Sequence, residues 1–172
     1  MLKDVFNEQL VKRATTPLDV FLRVLLLLVL LVVSVVAFWF IPAFALMVVV
    51  AAAFGAWWLN GRLNKEFEYA LTNNDLDVDV IYNRAARKRI FSGDIKAFEM
   101  MAPVTDTSRE VEAAFARAQA TLDCSRGRPG ENTYAFITHY NSKRIKVIFD
   151  PNDAMLALMA KRLTPQKFYA KK

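Results

Sequence analysis

Asp75, Asp77 and Asp79 stand at alternate positions and come nearest of all residues here to a chemical motif. They match the first three ligands of a calcium loop, which also needs a glycine at its sixth position and a bidentate glutamate at its twelfth. Those positions are Val80 and Ala86, so the triplet reads as the wet face of a strand. His139 lies three residues before Ser142, but both fall in a turn between two alternating segments, with no orienting acid and no oxyanion motif nearby. Cys124 has Arg126 and Arg128 close by, a setting that can lower a thiol pKa, yet as the single cysteine it reads as an incidental thiol. The chain contains one His, which leaves no zinc site to assemble. No metal, cofactor or catalytic role is expected.

Two basic clusters have clearer physical meaning. Arg84, Arg87, Lys88 and Arg89 surround one turn, and Lys143, Arg144 and Lys146 follow another. Near an anionic leaflet each such cation contributes about 1 kcal/mol of attraction, so these turns are candidate contacts to lipid headgroups or to a protein partner. The alternative is a solvated turn. The net charge of +6 fits a domain held against anionic lipid, and aromatics are not interleaved with the basic residues as a nucleic-acid face would require. Nucleic acid is not an expected partner.

The element that places these clusters is an uncharged apolar tract from Val24 to Leu59, interrupted by Pro42. As one helix it would run roughly 54 Å, nearly twice the ~30 Å bilayer core, so a two-helix hairpin over 21–40 and 43–59 fits better. Pro42 cannot donate to a helix ladder and drives Ile41 out of helical geometry. Phe38, Trp39 and Phe40 mark one interface, and Trp57 with Trp58 the other. Ala43-Phe44-Ala45 resembles a signal-peptidase site, but a second apolar span runs on past it. Lys12, Arg13 and Arg23 precede the tract, Arg62 and Lys65 follow it, and the connection is uncharged. These flanks predict a two-span cell-membrane protein with both termini cytoplasmic.

Within the second span, Ala51 with Gly55 and Ala52 with Ala56 form a smooth face for helix contact, either against the first span or against a second copy. Oligomeric state is open. In the segment 1–20, Leu2, Val5, Phe6 and Leu10 fall opposite Lys3, Glu8 and Lys12, which predicts an amphipathic helix at the interface.

From Lys65 the apolar period changes from 3.6 to 2. Phe67, Tyr69 and Leu71, then Leu76, Val78 and Val80, alternate with polar residues across a turn at 72–74. A third strand is expected at 89–91 and a fourth from Asp94 to Met101, ending at Pro103. Thr107 and Glu110, in capping-box spacing, open a predicted helix that carries Val111, Phe115, Ala118 and Leu122 and ends near Cys124. Residues 125–132 read as a mobile loop. Tyr134–Thr138 and Ile145–Phe149 form a second hairpin. Asp150 as N-cap, Pro151 and Asp153 open a last helix, which presents Met155, Leu158, Met159 and Leu163 and ends at Pro165.

The stretches NKEFEYALTNNDLDVDV, RKRIFSGDIKAFEMMAP with its break at Asp94 and Ile95, and KRIKVIFDPNDAMLALMAKRL resemble the pleckstrin-homology-like barrel of small bacterial membrane proteins. Nearly the whole chain is similar to an uncharacterised family that pairs a membrane hairpin with such a domain. The helix expected over 107–123 departs from a minimal barrel of that kind. The resemblance implies an α+β membrane protein in which a transmembrane hairpin precedes a small antiparallel-β domain (65–165) with a C-terminal helix, followed by a basic tail (166–172). It places headgroup contact on the Arg84–Arg89 turn and implies no assigned activity. The function expected is a membrane-anchored, non-enzymatic binding or scaffold module at the inner leaflet, with membrane lipids or a membrane protein as partner. A structural or accessory subunit of a larger membrane complex, docked through the Ala/Gly face, is the alternative.

Overall fold

The computed structural model describes residues 6–128, 130, 132–164 and 166–169. Leu2, Lys3 and Val5 of the expected amphipathic helix, Pro129 and Glu131 of the expected mobile loop, Pro165 as helix terminator, and 170–172 of the basic tail lie outside them. Two compact units divide the chain: a β-rich unit made of the residues up to Ala14, Glu66–Ile81 and everything from Arg87 on, and a helical unit made of Thr15–Lys65 with Tyr82–Ala86.

The helical unit holds α1 (Pro17–Phe40) and α2 (Ala45–Leu63), joined by a 3-10 turn at Pro42–Phe44. Both helices are long and apolar enough to cross a membrane, with hydropathies of 3.1 and 1.9. Their lengths, about 36 and 29 Å, match a ~30 Å hydrocarbon layer. A capping box opens α1: the Thr16 hydroxyl accepts from Asp19 N, and the Asp19 carboxylate accepts from Thr16 N at 2.8 Å. Ser34 donates to Leu30 O at 2.7 Å, so the one polar side chain between Val24 and Phe40 is satisfied within its own helix.

The β-rich unit contains β1 (Phe6–Lys12), β2 (Lys65–Thr72), β3 (Asp75–Tyr82), β4 (Ala86–Asp94), β5 (Met100–Pro103), α3 (Arg109–Ala116), β6 (Ala120–Asp123), β7 (Tyr134–Tyr140), β8 (Lys143–Phe149) and α4 (Asp153–Arg162). These build two four-stranded sheets in the orders β1-β2-β3-β4 and β5-β7-β8-β6. Adjacent strands whose pairing is given run antiparallel except β6 and β8, which are parallel with Leu122 opposite Val147. The core lies among the apolar rows of both sheets and α4. Phe98 stacks on Phe136 with ring centres 3.9 Å apart, and Met155, Met159 and Leu163 of α4 are buried.

Four local expectations are corrected. Phe6–Lys12 is a strand and not an amphipathic helix, because β2 supplies a complete antiparallel partner from Phe6↔Thr72 to Lys12↔Glu66. Its inward row is Asn7, Gln9 and Val11, while Phe6 and Leu10, whose spacing suggested a helix, point outward. The expected 107–123 helix is only Arg109–Ala116, with Ser108 rather than Thr107 at its N-cap; Leu122 belongs to β6, where it finds a ladder partner in β8. The expected Asp94–Met101 strand is broken: β4 ends at Asp94, whose side chain accepts from Lys96 N and caps a 3-10 turn at Ile95–Ala97 before β5. Asn152, not Asp150, caps α4, accepting from Met155 N at 2.7 Å, because both Asp150 oxygens are taken by Thr133 Oγ1 (2.5 Å) and Arg126 N (2.6 Å).

Candidate functional site

The β3–β4 turn carries Asn83 and Arg84, both with left-handed backbone (φ 50° and 56°), the pattern of a two-residue hairpin turn. Asn83 N donates to Asn64 O at 2.9 Å, which fastens this turn to the end of α2 inside the helical unit. Arg84 therefore joins Arg23, Arg62 and Lys65 at one end of that unit, while the 3-10 turn at the other end carries no charge.

Arg87 and Arg89 have a different fate. Strand alternation sets them on the same face as Asp77 and Asp79, which explains an ion-pair ladder running across β2, β3 and β4. Arg87 bonds Glu68 and lies 3.8 Å from Asp79; Arg89 contacts Asp79 and Asp77 at 3.0 Å each. The hydrogen bond to Asp79 raises the Arg89 pKa further above its ordinary value. Asp79 and Glu68 are buried beneath these guanidinium groups, Asp77 is half-buried and Asp75 exposed, so the aspartate row is wet at its start and covered at Asp79. Lys88 is exposed.

In the second cluster Arg144 is a structural tie. It contacts Glu99 Oε2 through Nε (2.9 Å) and Nη2 (2.7 Å), and it donates to Ala114 O of α3 at 3.0 Å. That guanidinium holds the Glu99 carboxyl below its usual range. Lys146 lies 5.5 Å from the Phe115 ring centre, and Lys143 is exposed. Tyr140, paired with Lys143, has its ring 5.3 Å from that of Phe91, two residues beyond Arg89, so the two clusters are neighbours. His139 Nδ1 is 3.2 Å from Glu99 Oε1, an acid that the sequence alone did not place beside it.

The structure adds a site that sequence reading missed, a polar cleft of about 370 Å³ lined by Gln9, Arg126, Arg128, Asn132, Asn152 and Asp153. Gln9 is its hinge: Nε2 donates to Asp150 O (2.9 Å), and Oε1 accepts from Asn152 N (2.6 Å). Beneath the cleft, the Tyr69 hydroxyl donates to Cys124 O (2.5 Å) and accepts from Asp150 N (3.3 Å). Burial raises the Tyr69 pKa and pushes the Cys124 thiol up to about 12, so this cysteine is inert in the folded chain. Two guanidinium groups, the carboxylates of Asp150 and Asp153 and several amides suit a small polar group carrying both charges. The one advance signal was the Arg126/Arg128 pair in a Gly-rich loop; nothing local pointed to Gln9.

In the hairpin, Ala52, Gly55 and Ala56 are half-buried and Ala51 is exposed, so three of the four small residues face toward the seam. A Cβ added at Gly55 would meet nothing within 4 Å. Among the described residues no group of three His, Cys, Asp or Glu side chains is placed to hold a metal ion.

Two four-stranded sheets and a C-terminal helix, with a pair of long apolar helices between the first two strands in sequence, make an α+β protein of membrane-compatible build. The chain belongs to the family described as Bacterial PH-like domain (DUF6106), whose model matches residues 3–170 and thus runs through β1, the helical hairpin and the domain. No curated protein and no solved structure matches it.

Proposed function

We propose that this chain is a membrane-anchored, non-enzymatic binding module whose PH-like domain is held at the inner leaflet. The observation that carries this reading is the pairing of β1 with β2. These strands flank the helices in sequence, yet Val11 pairs with Phe67 and Lys12 with Glu66 in one ladder. A domain that lies on one side of a bilayer requires the chain to leave and return, which two spans do and one span cannot. Side follows from charge: Arg23, Arg62, Lys65 and Arg84 collect at one end of the hairpin and none at the other. With Arg87, Arg89 and Arg144 engaged in ion pairs, headgroup contact falls to Lys88, Lys143 and Lys146, and a polar ligand or partner segment falls to the Gln9–Arg126 cleft.

The test exploits the silent Cys124. Ala43→Cys and Thr107→Cys, each exposed, are treated in intact cells with a membrane-impermeant maleimide. The reading requires labelling at position 43 and none at 107 until the cells are opened; the reverse pattern, or labelling of both, overturns it.

A further inference from the structure

The helical unit contains a cavity of about 350 Å³ between α1 and α2, lined by Arg23, Leu26 and Leu30 on one side and Ala53, Ala56 and Trp57 on the other. Each row follows helical spacing, so the cavity is a groove between two stripes, about 10 Å long and open to the surroundings. Its walls are apolar along most of that length. At one end stand Arg23 and Asn60.

Arg23 is the unusual member. Its Nη2 donates to the neutral Asn64 Oδ1 at 2.9 Å, and its Nε–H is shut from solvent with no acceptor among the described residues. The acid one turn earlier, Asp19, is folded into the capping box with Thr16. A guanidinium bonded to a neutral amide at the mouth of an apolar groove leaves its charge to be met by an anionic acceptor on an apolar stem.

On the membrane reading given above, we propose that this groove binds one anionic phospholipid of the inner leaflet, its phosphate on Arg23 and part of an acyl chain between Leu26, Leu30, Ala53 and Ala56. Trp57, at the groove wall, is the reporter. The full chain carrying Trp39→Phe and Trp58→Phe is reconstituted in vesicles containing brominated phosphatidylglycerol or brominated phosphatidylcholine at equal mole fraction, and quenching of Trp57 is compared. The expected preference for the anionic lipid is about five-fold, the size that one basic residue near an anionic surface supplies. Arg23→Gln abolishes the preference, Arg23→Lys retains it, and Arg62→Gln, at an exposed arginine of the same helix end, leaves it unchanged. Equal quenching in the parent, or a preference indifferent to Arg23→Gln, overturns the site while leaving the membrane reading intact. Release of the chain from vesicles by alkaline extraction overturns both.

Discussion

Replacing Gln9 by Leu tests the join that closes the domain. The Gln9 side chain makes two hydrogen bonds to the backbone that leads into α4, at residues 141 and 143 positions distant. Each is worth about 1 kcal/mol net. Losing both also leaves Asp150 O and Asn152 N without their partner, a further penalty softened because the cleft is open to water. The total is about 2–3 kcal/mol. For a domain of this size that corresponds to a fall in Tm of about 8–12 °C. Leu10→Ala is the control, because Leu10 is 58% exposed on the outer face of the same strand and should change stability by less than about 0.5 kcal/mol. Cys124 is the assay: fully buried, with its thiol pushed up to about 12, it reacts with a maleimide only when the domain opens. Its labelling during a thermal ramp in detergent micelles therefore reports the domain and not the apolar helices. A large effect of Leu10→Ala with none from Gln9→Leu would refute the strand, and is what an amphipathic helix lying on the micelle would give.

Arg144→Gln destabilises the chain at neutral pH by removing the ties to Glu99 and Ala114. Because Glu99 titrates below its ordinary value of 4.5 when folded, the Glu99 part of this tie is fully present above that pH and is lost as pH falls through the folded value. The stability gap between parent and variant should thus narrow below about pH 4.5 without closing, since the bond to Ala114 O does not titrate; a gap independent of pH in thermal midpoints followed by near-ultraviolet circular dichroism would contradict the pairing. Arg89→Ala costs about 1 kcal/mol by the same assay, a modest figure because the guanidinium is half exposed, though Asp79 beneath it is buried. No loss at all would mean that Arg87 alone suffices for Asp79.

Legibility followed the reach of the interactions. The apolar helices, the β2–β3–β4 meander and the β7–β8 hairpin were visible because each is set by local period and turn residues; Asn141 and Ser142 both adopt left-handed backbone where the turn was expected. β1 was hidden because its inward row contains two amides and one valine, Val11, so it shows no alternation of apolar with polar. Its partner begins more than fifty residues later. The α4 cap was misplaced for a similar reason: Asp150 has the right type for an N-cap but is claimed by Thr133 and Arg126, which only the fold brings near. The ion-pair ladder, by contrast, could have been read from the matched period of Asp77 and Asp79 with Arg87 and Arg89.

A helical hairpin inserted between β1 and β2 also constrains how the protein forms. β1 is made first, but its partner β2 follows the entire hairpin, and the α4 backbone held by Gln9 follows nearly everything else. Only residues 13–16 and Asn64 separate the strands from the helices, so the ladder can close only if both helix ends emerge together. On the membrane reading, a chain whose second helix failed to return would strand β1 across the bilayer from β2. It would leave the β2 edge unpaired, a hazard for aggregation, and Val11 without its core. The β1–β2 pair thus makes correct insertion a condition of domain stability, which a single tether ahead of an intact domain would not do.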